Sequence, residues 1–326
     1  MIKKLMHQLD GNTLFLINLR QKDPNLVYLT GLSGVYGGCA LMLTEKRAVF
    51  LANDMEYEHA KSELKIPVKK VNDVFEYVKK NKEGKILVNE KFLPHSTYLK
   101  IKKTGPVKYY SKELFTMRMV KEKSEIQKLR KAREIALEAY SQLNLRQKEA
   151  DIARKLNYII SEKAEPSFEV ISAADSNSTK PHYTTGSKIA SRLLLLDFGA
   201  KYQNYCSDIT RMKFFKKTSQ MKKVEEAVLS ARDAAIDTAK PGIAVSQVAK
   251  AANSEIKKAG FEKYILHGIG HGIGVEVHEK PFIGAKSKEI FEPGMTFTIE
   301  PGIYTKTFGI RIEDDYRITK SGCRLI

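Results

Sequence analysis

The sequence predicts an α/β N-terminal domain followed by a second, larger domain of helices and strands. Three observations predict it. The length, 326 residues, is about that of two domains. The first third alternates strand-like and helix-like stretches with short connections, which is an α/β pattern. Between residues 100 and 118 the chain turns lysine-rich and runs into "LFTMRMVKEKSEI". The boundary is placed there, giving domains 1–117 and 118–326.

In chain order, "TLFLINL" and "CALMLT" read as strands, then "AVFLA" and later "KILVNE". "DMEYEHAKSEL" and "VNDVFEYVKKN" read as the helices between them. After the boundary a helix is expected from about Glu122 to Leu143. Ile126, Leu129, Arg133, Ala136 and Tyr140 share one face of it, with Ser124 or a neighbour as its cap. "EADIARKLNYIISEKA" follows as a second helix that buries Ile152, Leu156, Ile159 and Ile160. Strands and turns occupy 167–216. Helices over 219–239 and 246–259 are separated by Pro241-Gly242, and Gly260 suits the second one's stop. Strands run from there to the end.

Composition narrows the function. Apolar residues make up 42% of the chain, enough for real cores. No apolar run approaches the roughly 20 residues of a membrane span. The N-terminus lacks the run and the small-residue site of a signal peptide. Three widely spaced cysteines give neither a disulfide framework nor a cysteine zinc site, so the cytoplasm is the default. The net charge of +18 admits a nucleic-acid partner. The lysines, however, are spread over both domains, and no aromatic-interleaved basic patch stands out, so none is expected.

The chemistry concentrates in a few acidic residues and histidines. "HGIGHGIGVEVHEKP", residues 267–281, alternates glycines at strand period, unlike a G-x-G-x-x-G phosphate loop. It reads as a glycine-lined strand that carries His271 and leaves room beside it. Asp197 ends "LLLLDFGA", where an unpaired carboxylate is costly. Asp208 lies eleven residues on, past the turn-like "FGAKYQNY", which lets the two face each other across a hairpin. Glu300 in "FTIEPGIY" and Glu313 in "IRIEDDYRI" repeat the arrangement. Like charges opposite one another repel unless a cation sits between them. Four carboxylates balance two divalent cations, with His271 as a neutral nitrogen ligand. Such oxygen-rich ligation suits manganese, or cobalt and zinc, better than copper or an iron–sulfur cluster. Singly, each residue has an ordinary reading: a turn aspartate, a hydrogen-bonded core histidine, a strand end. Together, and in this order, they make a two-metal site.

These residues resemble the pita-bread metallopeptidases, which include methionine aminopeptidases, Xaa-Pro aminopeptidases and Xaa-Pro dipeptidases (prolidases). The resemblance covers residues 118–326. It implies an α+β pita-bread (creatinase/aminopeptidase) catalytic domain with a curved antiparallel sheet and the metals in its cleft. It implies that Asp197 binds one ion, that Asp208 and Glu313 bridge both, and that His271 and Glu300 hold the other. A metal-bridging hydroxide would attack the carbonyl, with Glu300 shuttling the proton. His182 in "KPHYTTG" is similar to a histidine lining the substrate pocket. His278 in "EVHEKP" is similar to one that bonds the substrate carbonyl. His267 and Arg311 are expected near substrate. In the first domain, Asp23-Pro24-Asn25 and Tyr28-Leu29-Thr30-Gly31 resemble the creatinase/prolidase N-terminal domain. The implied activity is cleavage of an Xaa-Pro bond at the N-terminus of di- or oligopeptides, by a homodimer.

The resemblance departs at two points. Phe282 follows Pro281 where dipeptidases of the group carry arginine, the natural reader of a free carboxylate. Phe308-Gly309 stands where a Gly-Gly pair is common. The limit to dipeptides therefore stays open. Two alternatives stay open as well: a methionine aminopeptidase-like activity, and a non-enzymatic member of the fold that binds nucleic acid or protein. The second would break metal ligands, and all five are present.

Overall fold

Apolar runs that are buried along their whole length build the first unit, Met1–Met117. Its elements are α1 (Ile2–Met6), β1 (Thr13–Asn18), α2 (Pro24–Thr30), β2 (Cys39–Leu43), β3 (Ala48–Ala52), α3 (Tyr57–Glu63), β4 (Val68–Lys70), α4 (Val74–Asn81), β5 (Ile86–Val88), α5 (His95–Lys102) and β6 (Val107–Tyr109). The computed structural model describes residues 1–19, 22–32, 34 and 37–326. The six strands form one sheet in the order β4-β3-β2-β1-β5-β6. The β1–β2 and β2–β3 pairings are antiparallel, as in hairpins, and the other three are parallel. Val74, Val78 and Ile101 cover one face by packing on Phe15, Ile17, Met42 and Leu51. Asp23 caps α2 by accepting from Asn25 N–H, and Pro24 opens that helix where a missing N–H does no harm. α6 (Ser111–Met119) runs through the division, so the lysine-rich boundary stretch is helical there.

The second unit, Arg118–Ile326, has two helix pairs and four antiparallel sheets. α7 (Lys123–Ser141) and α8 (Glu149–Ser161) come first, then β7 (Glu165–Pro166), β8 (Ile171–Ala174), β9 (Leu193–Phe198), β10 (Ala200–Tyr202), β11 (Tyr205–Cys206) and β12 (Ile209–Phe214). α9 (Ser219–Thr238) and α10 (Val245–Lys258) follow. The last strands are β13 (Gly270–Gly272), β14 (Glu279–Ile283), β15 (Thr296–Ile299), β16 (Gly302–Tyr304), β17 (Gly309–Arg311), β18 (Asp314–Thr319) and β19 (Gly322–Leu325). The sheets run β11-β10-β7, β12-β9-β8, β14-β13-β15-β18-β19 and β16-β17.

Each helix pair covers its own set of strands. Ile135, Ala139, Leu156 and Ile160 of α7 and α8 pack on Leu194, Leu196 and Phe198 of β9. Val224, Val228, Val248 and Ile256 of α9 and α10 pack on Phe297, Ile299 and Ile318. Leu193 belongs to that second core, so β9 is buried on both faces. This explains its four consecutive leucines. The cap of α7 is not Ser124. Glu122 caps it, and Glu125 reaches back to the Glu122 N–H at 2.8 Å, a capping box. Arg133 leaves the apolar stripe to pair with Asp314 at 2.9 Å. Gly260 does stop α10, at φ +81°. No helix among the described residues is long and apolar enough to cross a membrane.

Candidate metal centre

All nine residues singled out from the sequence line one cavity of about 450 Å³ in the second unit. Asp197 sits near the end of β9, and Asp208 immediately precedes β12. Their relation differs from the expected one. Across the β9–β12 ladder Asp197 faces Thr210, and Phe198 faces Ile209. The segment between them does not form a simple turn. It becomes β10 and β11, joined at Gln203 and Asn204, both with positive φ, and these strands pair in a different sheet. Asp208 N–H is held by Asp315 Oδ2 at 3.2 Å. Glu300 follows β15, and Glu313 lies between β17 and β18.

The glycine stretch also differs in detail. Regular strand structure is confined to Gly270–Gly272, with a register shift after His271. The space at these glycines is not left for a substrate. A Cβ on Gly270 would lie 2.1 Å from Thr298 O, and one on Gly272 would lie 2.2 Å from Lys280 O. Neighbouring strands of the same chain occupy that space, and their closeness seats His271. The imidazole is then oriented from behind: Nδ1–H donates to Gly272 O at 3.2 Å. Nε2 is left facing the acids, 3.4 Å from Glu300 Oε1 and 3.6 Å from Asp208 Oδ2. Burial, and then His278 beside it, lower the His271 pKa to about 3, so its ring is neutral.

The carboxylates form two overlapping groups whose ligand atoms all lie within 4.8 Å of one another: Asp197, Asp208 and Glu313, and His271, Glu300 and Glu313. Asp208 and His271 also form such a group with His278. Burial lifts Asp208 well above the usual carboxylate range, and Glu313, Asp197 and Glu300 lift it further. Glu313 is raised by burial, then by Glu300 and Asp197. Glu300 reaches about 8 through burial, against the pull of Arg311 and with the push of Asp197. Arg311, 3% exposed, is the one guanidinium among them. Its Nη2 contacts Asp197 Oδ2 at 2.6 Å, its Nε donates to Thr210 Oγ1 at 2.9 Å, and its Nη1 donates to Tyr304 OH at 2.8 Å. Asp197 Oδ1 is buried with no partner among the described residues. One guanidinium against four carboxylates leaves a deficit of positive charge. An orphaned oxygen, a neutral imidazole nitrogen and crowded carboxylates are the donor set that divalent cations of intermediate hardness take. The residues fit the metal.

The other histidines line the rim. His182 and His278 are exposed, and the His278 ring lies 4.2 Å from that of His271. His267 accepts from Tyr304 OH at 2.7 Å and donates from Nδ1 to Gly268 O. Burial, then Arg311, bring its pKa to about 4. Sequence reasoning missed three supporting residues. Thr210 donates to Glu313 Oε2 at 2.7 Å. Tyr304 joins His267 to Arg311, and Asp315 holds Asp208. Asp315 had a signal, since it stands two residues after Glu313, at strand spacing. Thr210 and Tyr304 had none.

Two family matches span nearly the whole chain. Residues 127–320 match metallopeptidase family M24, and residues 2–120 match the creatinase/prolidase N-terminal domain. The Xaa-Pro dipeptidase of Pyrococcus horikoshii is 35% identical over 99% of this chain and 95% of its own. A solved structure of a prolidase from Pyrococcus horikoshii has a TM-score of 0.90 at 33% identity, over 99% of this chain and 96% of that one. An X-Pro aminopeptidase from Thermotoga maritima also has a TM-score of 0.90, at 29% identity, over 98% and 96% of the two chains.

Proposed function

The chain belongs to metallopeptidase family M24, and we propose that its pita-bread unit hydrolyses the Xaa-Pro bond at the N-terminus of short peptides. The observation that carries this is the cluster of four carboxylates and one neutral imidazole, offset only in part by a single guanidinium, in one cavity. Asp197 would help hold one divalent ion and His271 and Glu300 a second, with Asp208 and Glu313 available to both. Such ions supply Lewis-acid polarisation of the scissile carbonyl and a water acidified toward neutral pH. Manganese is the first choice, with cobalt or zinc next.

The chain's own groups do the rest. Glu300 takes the proton of the attacking water and returns it to the departing proline nitrogen. His278 donates to the scissile carbonyl oxygen as negative charge develops there. His182 and His267 line the path of the substrate backbone. Arg311 holds Asp197 directly and Glu313 through Thr210, which keeps both carboxylates aimed at one point. We assign a homodimer, and a cytoplasmic location on the strength of three unpaired, buried cysteines.

The test is chelation and dialysis, followed by assay on Xaa-Pro and Xaa-Pro-Xaa peptides. Hydrolysis disappears and returns with manganese or cobalt. If the reconstituted protein is as inert as the stripped one on di- to pentapeptides, the proposal fails.

A further inference from the structure

We infer that this site prefers peptides that continue beyond proline over free Xaa-Pro dipeptides. The inference rests on the Xaa-Pro reading above and concerns which substrates that site takes. A free dipeptide brings a carboxylate within one residue of the cleaved bond. Taken out of water without a partner, that carboxylate is costly to bind. The partner that offsets the cost is a cation able to contact it, best of all a guanidinium with two free N–H groups.

The cavity does not offer one. Among the described residues that line it, Arg311 is the only side chain with a permanent positive charge. Arg311 is committed. Its Nε bonds Thr210, its Nη1 bonds Tyr304 and, at 3.4 Å, Pro181 O, and its Nη2 bonds Asp197. It is also buried, at 3% exposed, where Phe282 is 52% exposed. The lining histidines offer N–H groups that a peptide carbonyl and a carboxylate use alike, so they do not discriminate between the two.

Beside those histidines the lining is apolar. Phe282, 52% exposed, and Ile283 form part of it at the end of β14, an edge strand of its sheet. Phe168, Ile171 and Val277 add to the same lining. Lys280 lies two residues before Phe282, but it does not line the cavity, and its Nζ is paired with Glu289 at 2.8 Å. A substrate that ends at proline sets a charge against this surface. One that continues sets a neutral peptide group and a further side chain there.

The experiment compares kcat/KM for a free Xaa-Pro dipeptide, its C-terminal amide and the matching Xaa-Pro-Xaa tripeptide on the metal-loaded protein. The expected result is that the amide and the tripeptide exceed the free dipeptide. A free dipeptide as good as its amide, or better, overturns the inference and leaves the peptidase reading standing. Absence of any Xaa-Pro hydrolysis removes the peptidase reading and this inference with it. Phe282 is exposed, so Phe282→Arg is compatible with folding. It is expected to raise the ratio of dipeptide to amide rates at least tenfold, and added salt is expected to reverse that gain. An unchanged ratio would mean that the surface around Phe282 does not meet the substrate's end, and would count against the inference.

Discussion

Thr210 shows how one neutral side chain orders two charges. Its hydroxyl receives Arg311 Nε–H and donates to Glu313 Oε2. Thr210→Val keeps the shape and strands both partners, so a loss of about 1–3 kcal/mol in denaturant stability is expected, together with a fall in kcat/KM. Thr210→Ser is expected to restore most of both. Glu300 makes a different prediction. Glu300→Gln keeps an oxygen and removes the proton acceptor. With circular dichroism unchanged, kcat is expected to fall by about 10²–10⁴-fold; a loss under threefold would end its role as proton shuttle. Asp175, far from this chemistry, carries the pH prediction. Its carboxylate accepts from Ser191 N–H and Oγ–H, Arg192 N–H and Leu193 N–H. Burial opposes the charge, and these donors outweigh it, bringing the pKa from 3.8 down to about 2. A depressed pKa stabilises the fold above the unfolded value and ceases to as pH falls through the folded one. The contribution is about 2 kcal/mol. The stability gap between the native protein and Asp175→Asn, both metal-free, is therefore expected to close between about pH 4 and pH 2.

Strand β14 shows why elements are harder to read than residues. Its first residue, Glu279, is buried between Arg118 and Lys121, with Lys121 Nζ 2.6 Å away. It stands beside His278, so a shift of this ion group is expected to carry His278 with it. Glu279→Gln takes the anion from buried Lys121 and one of two carboxylates from buried Arg118, which keeps Glu276 at 2.7 Å, and a loss of about 3–5 kcal/mol is expected. Glu279→Asp keeps the charge and is expected to recover part of the stability while leaving kcat reduced, because His278 is displaced. Scanning calorimetry and kcat separate the two effects. Glu279 was visible in "HEKP", but its partners lie 158 and 161 residues away, and pairings that distant leave no mark in local pattern. The same limit explains the β9–β12 register. Four leucines and an aspartate announce a buried strand that ends in a charge. They do not say that the next residues leave the ladder as β10 and β11, which puts Thr210, rather than Asp208, opposite Asp197. The helices were more legible, because the 3.6-residue period of α8 and α10 is a property of the local chain alone.

Across the whole molecule, apolar or tight surroundings drew attention to these residues, and the order Asp, Asp, His, Glu, Glu was legible as a set through the family resemblance. What those residues do to the second unit was not legible. Asp197 and Asp208 come from the strands covered by α7 and α8; His271, Glu300 and Glu313 come from the strands that follow α9 and α10. The cluster is thus the seam between two halves with separate cores. Without a cation, like charges push at the seam against Arg311 and against the pairs of Arg133 and Arg211 with Asp314; with cations, residues of both halves would share the same ions. Metal at about 100 times its dissociation constant adds about 2.7 kcal/mol to the folded state. That gain belongs to the seam. Metal loading is expected to slow amide exchange in β9, β12, β13, β15 and β18 together, on both sides of the cavity, and to leave β1 to β6 of the first unit unchanged. Hydrogen exchange read by mass spectrometry, with and without chelator, distinguishes the outcomes. Protection confined to β13 and β15 would mean that the ions sit in one half only. Equal protection of β1 to β6 would mean that metal acts on the chain as a whole rather than at the seam.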